Sequence, residues 1–230
     1  MSELSQSIQT VQARIRAAEA RFGRPPGSVA LLAVSKTQPV KKIAAAADAG
    51  LRCFGENYLQ EALDKIAALA GRDLEWHFIG PIQSNKTRGI AEHMHWAHSV
   101  ERLKIAQRLS EQRPDHLPPL NICLQVNISD EASKSGLAAA DLGEVALAVA
   151  ALPRLRLRGL MAIPAESDDF SEQRRPLAAL RALYEGLREQ GLALDTLSMG
   201  MSADLEAAIA EGATLVRVGS ALFGPRPRKG

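Results

Sequence analysis

The sequence predicts an α/β protein built as a single parallel (β/α)8 barrel with an additional amino-terminal helix. Eight short apolar runs alternate with stretches of helical periodicity, a pattern typical of a parallel sheet covered by helices. Eight is also the number of strands that closes a TIM-type barrel. The 230 residues suffice for one large domain and leave none for a second. We therefore expect the whole chain, residues 1–230, to form one domain.

The first elements are an amphipathic helix and a buried strand. Apolar residues recur at three- and four-residue steps over residues 4–22, and Gly23 ends the helix that they predict. A charge-free apolar run over residues 29–34 predicts a strand buried on both faces. Pro39 begins the next predicted helix and Gly50 closes it. Together these residues make the first β/α unit.

The same alternation continues towards the carboxyl end. The further predicted strands are 51–54, 74–80, 94–98, 120–127, 155–163, 194–199 and 214–219. The predicted helices between them are 56–70, 84–91, 100–112, 137–152, 170–190 and 202–211. Because few residues follow the eighth strand, we expect the amino-terminal helix to cover the last gap in the outer ring. The alternative is an open doubly wound sheet, but no Gly-x-Gly-x-x-Gly turn follows the first strand.

Composition excludes several classes of partner. The net charge is only +2, from 28 basic and 26 acidic residues, so no overall field attracts nucleic acid or an anionic membrane. No run approaches the roughly 20 apolar residues that span a bilayer, and the amino terminus lacks a signal-peptide core. Cys53 and Cys123 lie in apolar stretches, as buried reduced thiols do. We expect a cytoplasmic monomer.

Lys36 is the first candidate for chemistry. Side chains alternate along a strand, so Ala30, Leu32, Val34 and Lys36 share one face of the first strand. If that face is the barrel interior, Lys36 projects at the carboxyl rim, where barrel active sites lie. Partial desolvation there favours the neutral amine that attacks an aldehyde. The alternative is that Lys36 begins a solvated loop.

Two loops near the carboxyl end indicate a phosphate site. Ser202 is a candidate helix N-cap after the seventh strand, and Gly219 with Ser220 follows the eighth. Barrels commonly bind phosphate at these two loops. A closed sheet makes strands one, seven and eight neighbours, so an amine and a phosphate cradle together predict a phosphorylated aldehyde. Arg217 has the strand parity to point inward, with an ion pair on the rim as the alternative.

Six sequence blocks resemble the pyridoxal 5'-phosphate (PLP)-binding homeostasis proteins, whose barrel is similar to the amino-terminal domain of alanine racemases. The blocks are AVSKTQP at 33–39, FGENYLQE at 54–61, WHFIGPIQSNK at 76–86, GLMAI at 159–163, LSMGMSADLEAAI at 197–209 and VRVGSALFG at 216–224. The resemblance implies that Lys36 carries PLP as a Schiff base and that Arg217 faces the pyridine nitrogen. It implies a phosphate site formed by Ser198, Gly219 and Ser220. The remaining cofactor-binding positions that it implies are Asn57, His77, Met161, Met199 and Gly200.

The resemblance also implies storage, buffering or delivery of PLP, with PLP-dependent apo-enzymes as recipients and no catalysis. An arginine beside the ring nitrogen disfavours its protonation and weakens the electron sink on which PLP enzymes depend. Racemisation needs groups on both faces of the substrate, and in the resembling racemases another domain supplies the second face. A minimal PLP-dependent racemase or lyase is the first alternative. A sugar-phosphate barrel enzyme, which needs no aldehyde-reactive lysine, is the second.

Two further features carry little functional weight. His93, His95 and His98 are closely spaced, but no carboxylate or cysteine lies at ligand spacing, so we predict no metal. The basic, proline-rich residues 225–230 are typical of a frayed terminus. No aromatic residues interleave with their charges, so nucleic-acid binding is not indicated there.

Overall fold

A computed structural model of the protein describes residues 2–128 and 135–224. Eight parallel strands form a closed barrel in chain order. The strands are β1 Ala30–Val34, β2 Cys53–Glu56, β3 Glu75–Phe78, β4 Trp96–Val100, β5 Leu120–Gln125, β6 Leu155–Met161, β7 Thr196–Ser198 and β8 Leu215–Val218. Residues Leu31 and Ala33 of β1 pair with Val216 and Val218 of β8. The predicted (β/α)8 barrel is confirmed and the open sheet is excluded; the basic tail lies outside the described residues.

The helices follow the predicted order with shifted boundaries. They are α1 Glu3–Arg21, α2 Val40–Asp48, α3 Leu59–Ala68, α4 Thr87–His93, α5 Leu103–Gln112, α6 Leu142–Ala150, α7 Phe170–Glu189, α8 Leu205–Ala210 and α9 Ser220–Phe223. A 3-10 turn over Ser84–Lys86 precedes α4. α9 is a single turn after β8 that the sequence analysis did not predict. Within the described ranges, none of the helices is both long and apolar enough to cross a membrane.

Helix α1 completes the outer ring, as predicted. It packs against α2, α8 and α9, which is the place that a full helix after β8 would occupy. Arg14 of α1 forms an ion pair with Glu206 of α8, with Nη2 and Oε2 2.8 Å apart. The buried carboxylate of Glu19 accepts hydrogen bonds from the amides of Gly27 and Val29, at 3.1 and 2.9 Å. These contacts connect α1 to the start of β1.

The barrel interior differs from the layer between strands and helices. The outer layer is a continuous apolar core, while the interior contains a small cluster of Trp96, Cys123 and Met161. The rest of the interior includes buried polar side chains. Close strand packing requires glycine at Gly159, where an added Cβ would lie 1.7 Å from the backbone oxygen of Thr196. The polar interior leads to the carboxyl mouth of the barrel.

Candidate functional site

A cavity of about 310 Å³ opens at the carboxyl ends of the strands. This volume and position are typical of ligand sites in such barrels. Five residues predicted from the sequence line it, namely Lys36, Asn57, Arg217, Gly219 and Ser220. The walls therefore combine the predicted lysine, the predicted arginine and the loop after β8. The structure brings these five together at one mouth.

Lys36 lies beside a strained residue. Thr37 has a φ of 64°, in the left-handed region that a β-branched side chain rarely adopts. Its amide donates a 2.6 Å hydrogen bond to Oε1 of Glu61. Such strain persists only where surrounding contacts impose it, and it is concentrated at functional sites. The backbone next to Lys36 is therefore held in one conformation.

A buried lysine organises the contacts behind Lys36. Lys65 Nζ donates to Oε1 of Glu56 and the backbone oxygen of Ser35, both at 2.8 Å, and to Oε1 of Glu61 at 2.5 Å. The hydroxyl of Ser35 also donates to Glu56, at 2.5 Å. We call Lys65, Glu56, Glu61, Ser35 and Thr37 the Lys65 clamp. It fixes the residues on both sides of Lys36.

Electrostatics within the clamp are dominated by burial. The side chain of Glu56 is fully buried, and this burial raises the pKa of its carboxyl although Lys65 acts to lower it. Removing charge from water is costly unless each charge is paired and hydrogen-bonded. Lys65 supplies that pairing, so the clamp depends on it.

Arg217 is a buried cation whose donors are fixed by oxygen atoms. Its Nη1 donates to the backbone oxygen of Ser198 at 2.6 Å and to Ser198 Oγ at 3.0 Å. Its Nη2 donates to the oxygen of Ala162 at 3.0 Å. Burial lowers the pKa of Arg217 to about 10. The guanidinium remains a cation at neutral pH and faces the cavity in a fixed orientation.

Ser198 and His77 lie deeper than predicted. Ser198 is fully buried and its Oγ lies 2.8 Å from Nδ1 of His98 inside the barrel. His77 is hydrogen-bonded to His98, at 2.9 Å. Neither residue is among those that line the cavity. Their direct contact with a cofactor stays a prediction.

Three other predicted residues also lie behind the cavity wall. Met161 packs with Trp96 and Cys123 in the barrel interior. Met199 is buried in the outer core. Gly200 adopts a φ of +94°, and an added Cβ would lie 2.5 Å from Cβ of Ala208. None of the three is among the residues that line the cavity, and their contact with a cofactor stays a prediction.

The loop after β7, which the sequence predicts as a phosphate-binding loop, lines the cavity through Met201, Ser202 and Ala203, of which only Ser202 is predicted by name. Ser202 was predicted as an N-cap, which is wrong because α8 begins at Leu205 with Asp204 at the N-cap position. Asp204 Oδ1 instead accepts from the amide of Met201, at 2.6 Å. The loop is therefore longer than predicted, which leaves Ser202 at the cavity.

The three closely spaced histidines do not converge. His93 is exposed on α4 and contacts the oxygen of Gly89, while His95 Nδ1 accepts from the amide of Trp76. His98 points into the barrel. Among the described residues, the ligand-type side chains that do come together are Cys53, Glu75 and His77. Glu75 and His77 are hydrogen-bonded to each other, at 2.8 Å.

Comparison with known proteins identifies close relatives. Residues 7–227 match the family described as alanine racemase, N-terminal domain. The chain is 64% identical over 226 residues to the pyridoxal phosphate homeostasis protein of Pseudomonas aeruginosa, covering 98% of this chain and 97% of that protein. The protein of the same name from Escherichia coli K12 is 54% identical over 229 residues, covering 98% of each chain. These curated relatives carry the name of a homeostasis protein and not of an enzyme.

Solved structures agree with the sequence relatives. PipY of Synechococcus elongatus, whose structure has PLP bound, superposes with a TM-score of 0.81 at 40% identity, covering 91% of this chain and all (100%) of that chain. Alanine racemase of Corynebacterium glutamicum superposes with a TM-score of 0.70 at 19% identity, covering 95% of this chain and 61% of that chain. The racemase comparison concerns the fold alone.

Proposed function

This chain belongs to the family of pyridoxal phosphate homeostasis proteins, and we propose that it holds PLP as a Schiff base on Lys36 and stores, buffers or delivers the cofactor without catalysis. One observation carries the proposal. Lys36, on a strained and clamped backbone, shares a cavity with a buried arginine and with the loops after β7 and β8. That combination suits an aldehyde with a phosphate group.

The residues of the cavity fit PLP. Asn57 Oδ1 is buried and has no hydrogen-bond partner within the described part of the chain, although it belongs to a residue that lines the cavity. Buried acceptors are normally satisfied, so a donor from a ligand fits there. At Gly219 an added Cβ would approach the oxygen of Val34 to 3.3 Å, so glycine lets the loop after β8 pack closely against β1 beside Lys36. The bound cofactor supplies an aldehyde that condenses with an amine and releases water.

We assign the phosphate to Ser202, Gly219 and Ser220. All three line the cavity, on the two loops where barrels commonly hold phosphate. Ser198, which the resemblance implied, is hydrogen-bonded to His98 and Arg217, and its contact with the phosphate stays a prediction. The hydroxyls of Ser202 and Ser220 are suitable donors to phosphate oxygens.

Arg217 supports the absence of catalysis. A permanent cation facing the ring nitrogen disfavours protonation of that nitrogen, and a ring without that proton withdraws electrons poorly from a bound amino acid. The guanidinium is held by three oxygen acceptors, so it cannot readily turn away. The site therefore suits reversible storage better than racemisation.

We further propose that the chain acts as one PLP-binding domain, residues 1–230, in the cytoplasm. We also propose that it functions as a monomer. Cys53 and Cys123 are both free thiols, as suits a reducing compartment. PLP-dependent apo-enzymes are the recipients that a storage protein would serve.

The test is an absorption spectrum of the protein with PLP, before and after borohydride reduction and peptide mass analysis. An absorption band at about 420 nm and, after reduction, a PLP adduct on Lys36 are expected. Both should be lost in Lys36→Ala. Lys41→Ala is the matched control, because Lys41 is an exposed lysine on the adjacent helix. An adduct on another lysine, or a Lys36→Ala protein that keeps the band, would show that the proposal is wrong.

A further inference from the structure

A chain of hydrogen-bonded side chains runs through the barrel from the cavity to the opposite end. Arg217 Nη1 lies 3.0 Å from Ser198 Oγ, which lies 2.8 Å from Nδ1 of His98. Nε2 of His98 lies 2.9 Å from Nδ1 of His77, whose Nε2 lies 2.8 Å from Oε1 of Glu75. We call these five side chains the barrel relay. It connects the cavity to a carboxylate at the amino-terminal end of β3, where the Glu75 side chain is 43% exposed.

The two ends of the relay give every hydrogen bond the same direction. A guanidinium only donates, so Ser198 Oγ accepts from Arg217 and its hydrogen is available for Nδ1 of His98. An ionised carboxylate only accepts, so Nε2 of His77 donates to Glu75. Nδ1 of His77 is then an acceptor, and Nε2 of His98 must donate to it. Each proton therefore points from the cavity towards Glu75.

The relay separates two charges by neutral groups. The hydrogen bond from His77 holds the pKa of the Glu75 carboxyl below its ordinary value, so Glu75 is an anion at neutral pH. Burial lowers the pKa of both His77 and His98, so both imidazoles are neutral. Arg217 is the cation at the other end. This charge distribution favours the direction of the hydrogen bonds, because each proton points towards the anion Glu75 and away from the cation Arg217.

Other groups near the relay do not interrupt it. Cys53 Sγ donates to Glu75 Oε1 at 3.6 Å, and His95 and Arg158 act on Glu75 at longer range. Trp96 stacks on His77, with ring centroids 5.4 Å apart. At the cavity end, Asp204 and Cys123 act electrostatically on Arg217. None of these groups takes part in the four hydrogen bonds of the relay.

We propose that Glu75, His77, His98 and Ser198 are positioning residues for the cofactor pocket, acting through Arg217. Because His98 takes the hydrogen of Ser198, the Ser198 oxygen is committed to accept from Arg217, and the guanidinium is held against the cavity. This inference rests on the proposed function, since it assigns a role to the arginine that faces PLP. Without His98, Ser198 Oγ is released as a fixed acceptor, and Arg217 is held only by the backbone oxygens of Ser198 and Ala162.

The direction of the relay is testable without cofactor. Long-range ¹H–¹⁵N NMR spectra of the protein without PLP, labelled on histidine, distinguish the two tautomers and the protonated form. We expect His77 and His98 to be neutral and protonated on Nε2 at neutral pH. A protonated imidazole, or an Nδ1–H tautomer at either position, would overturn the relay whether or not the protein binds PLP.

The effect on the pocket is tested with His98 variants loaded with PLP. His98→Phe breaks the relay, whereas the side chain of His98→Gln can accept from Ser198 and donate to His77. Met94→Leu is the matched control, because Met94 is a buried residue of the outer core that has no part in the relay or the cavity. The readouts are the PLP dissociation constant and the midpoint of the pH titration of bound-PLP absorbance.

We expect His98→Phe to weaken PLP binding on the order of 10-fold, the effect of one hydrogen bond to a charged group, and to shift the absorbance midpoint. His98→Gln should stay within about threefold of the wild type, and Met94→Leu should change neither readout. If His98→Phe behaves like Met94→Leu while PLP remains on Lys36, the inference is wrong and the proposed function stands. If the wild type does not bind PLP, the proposed function fails, and the NMR experiment alone decides whether the relay exists.

Discussion

Replacing Lys65 by methionine should destabilise the protein strongly. Lys65→Met keeps an unbranched side chain in place of the lysine stem but removes the ammonium group that pairs with Glu56 inside the Lys65 clamp. The Glu56 side chain is fully buried and that of Lys65 is 4% exposed. Removing one member of a buried ion pair leaves an uncompensated charge and costs about 3–5 kcal/mol. For a protein of this size that loss lowers Tm by roughly 6–20 °C.

The loss should depend on pH in a defined direction. The folded-state pKa of Glu56 is already raised by burial, and Lys65 is the main group that lowers it. In Lys65→Met the folded pKa rises further, so folding favours the protonated carboxyl. The stability that a raised pKa provides is complete below the unfolded-state value and is lost as pH rises through the folded-state value. The deficit of the variant should therefore be larger at pH 8 than at pH 4.5, where burying a neutral polar group costs about 1–3 kcal/mol.

The assay is urea unfolding followed by circular dichroism at pH 4.5 and pH 8. The double variant Lys65→Met, Glu56→Gln is the control, because it removes the buried charge together with its partner. We expect the double variant to recover much of the stability lost at pH 8 and to lose most of the pH dependence. The reasoning would be refuted if Lys65→Met lost less than about 1 kcal/mol of unfolding free energy at pH 8. It would also be refuted if the loss were equal at both pH values. Either result is what a solvent-exposed ion pair would give.

Three further predictions concern single sites. Thr37→Gly should raise the free energy of unfolding by about 1 kcal/mol in urea unfolding. Glycine tolerates the positive φ of 64°, and the Thr37 hydroxyl is buried without a hydrogen-bond partner among the described residues. A loss of stability would contradict this prediction. Gly159→Ala should yield little soluble protein, since its Cβ would lie 1.7 Å from a backbone oxygen. Gly186→Ala in α7 is the contrasting variant, because no atom lies within 4 Å of its new Cβ. It should raise the free energy of unfolding by about 0.5–1 kcal/mol. Burial raises the pKa of the Cys53 and Cys123 thiols from 9.0 to about 12, so their thiolate fractions at pH 8 fall about 1000-fold. Mass spectrometry after iodoacetamide treatment should therefore find labelled cysteines only when the protein is unfolded in urea. Rapid labelling of the native protein would contradict this prediction.

The strands of the barrel were predictable because short apolar runs that alternate with helical stretches are typical of a parallel sheet. A run such as Ala30–Val34 is apolar throughout, and the turn residues on either side limit its length. Helix starts were less predictable. The third helix begins at Leu59 and not at residue 56, because β2 continues to Glu56, whose carboxylate is satisfied by Ser35 and Lys65. No local pattern contains that long-range pairing.

The sequence predicts which side chains of the candidate site point into the barrel, but not how far below the rim each of them lies. Alternation along a strand indicates which side chains point inward, and Lys36 and Arg217 do line the cavity. Ser198 also points inward, but it ends β7 below the rim and hydrogen-bonds to His98, 100 residues away in the chain. Ser202 lies in a loop that has no periodicity, so its place at the cavity follows from the path of the backbone alone.

The two polar networks act on Lys36 and Arg217 from different sides, which predicts that they are energetically independent. The Lys65 clamp contacts Ser35 and Thr37, the neighbours of Lys36, while the barrel relay contacts Arg217 from inside. The networks share no hydrogen-bond partner in the contacts described above, and sites without shared partners are usually additive within about 0.5 kcal/mol. The destabilisation of the double variant Lys65→Met, His98→Phe should therefore equal the sum of the two single values. A coupling free energy above about 1 kcal/mol in urea unfolding would mean that β1 and β8 transmit strain between the networks. The clamp and the relay would then form a single energetically coupled network.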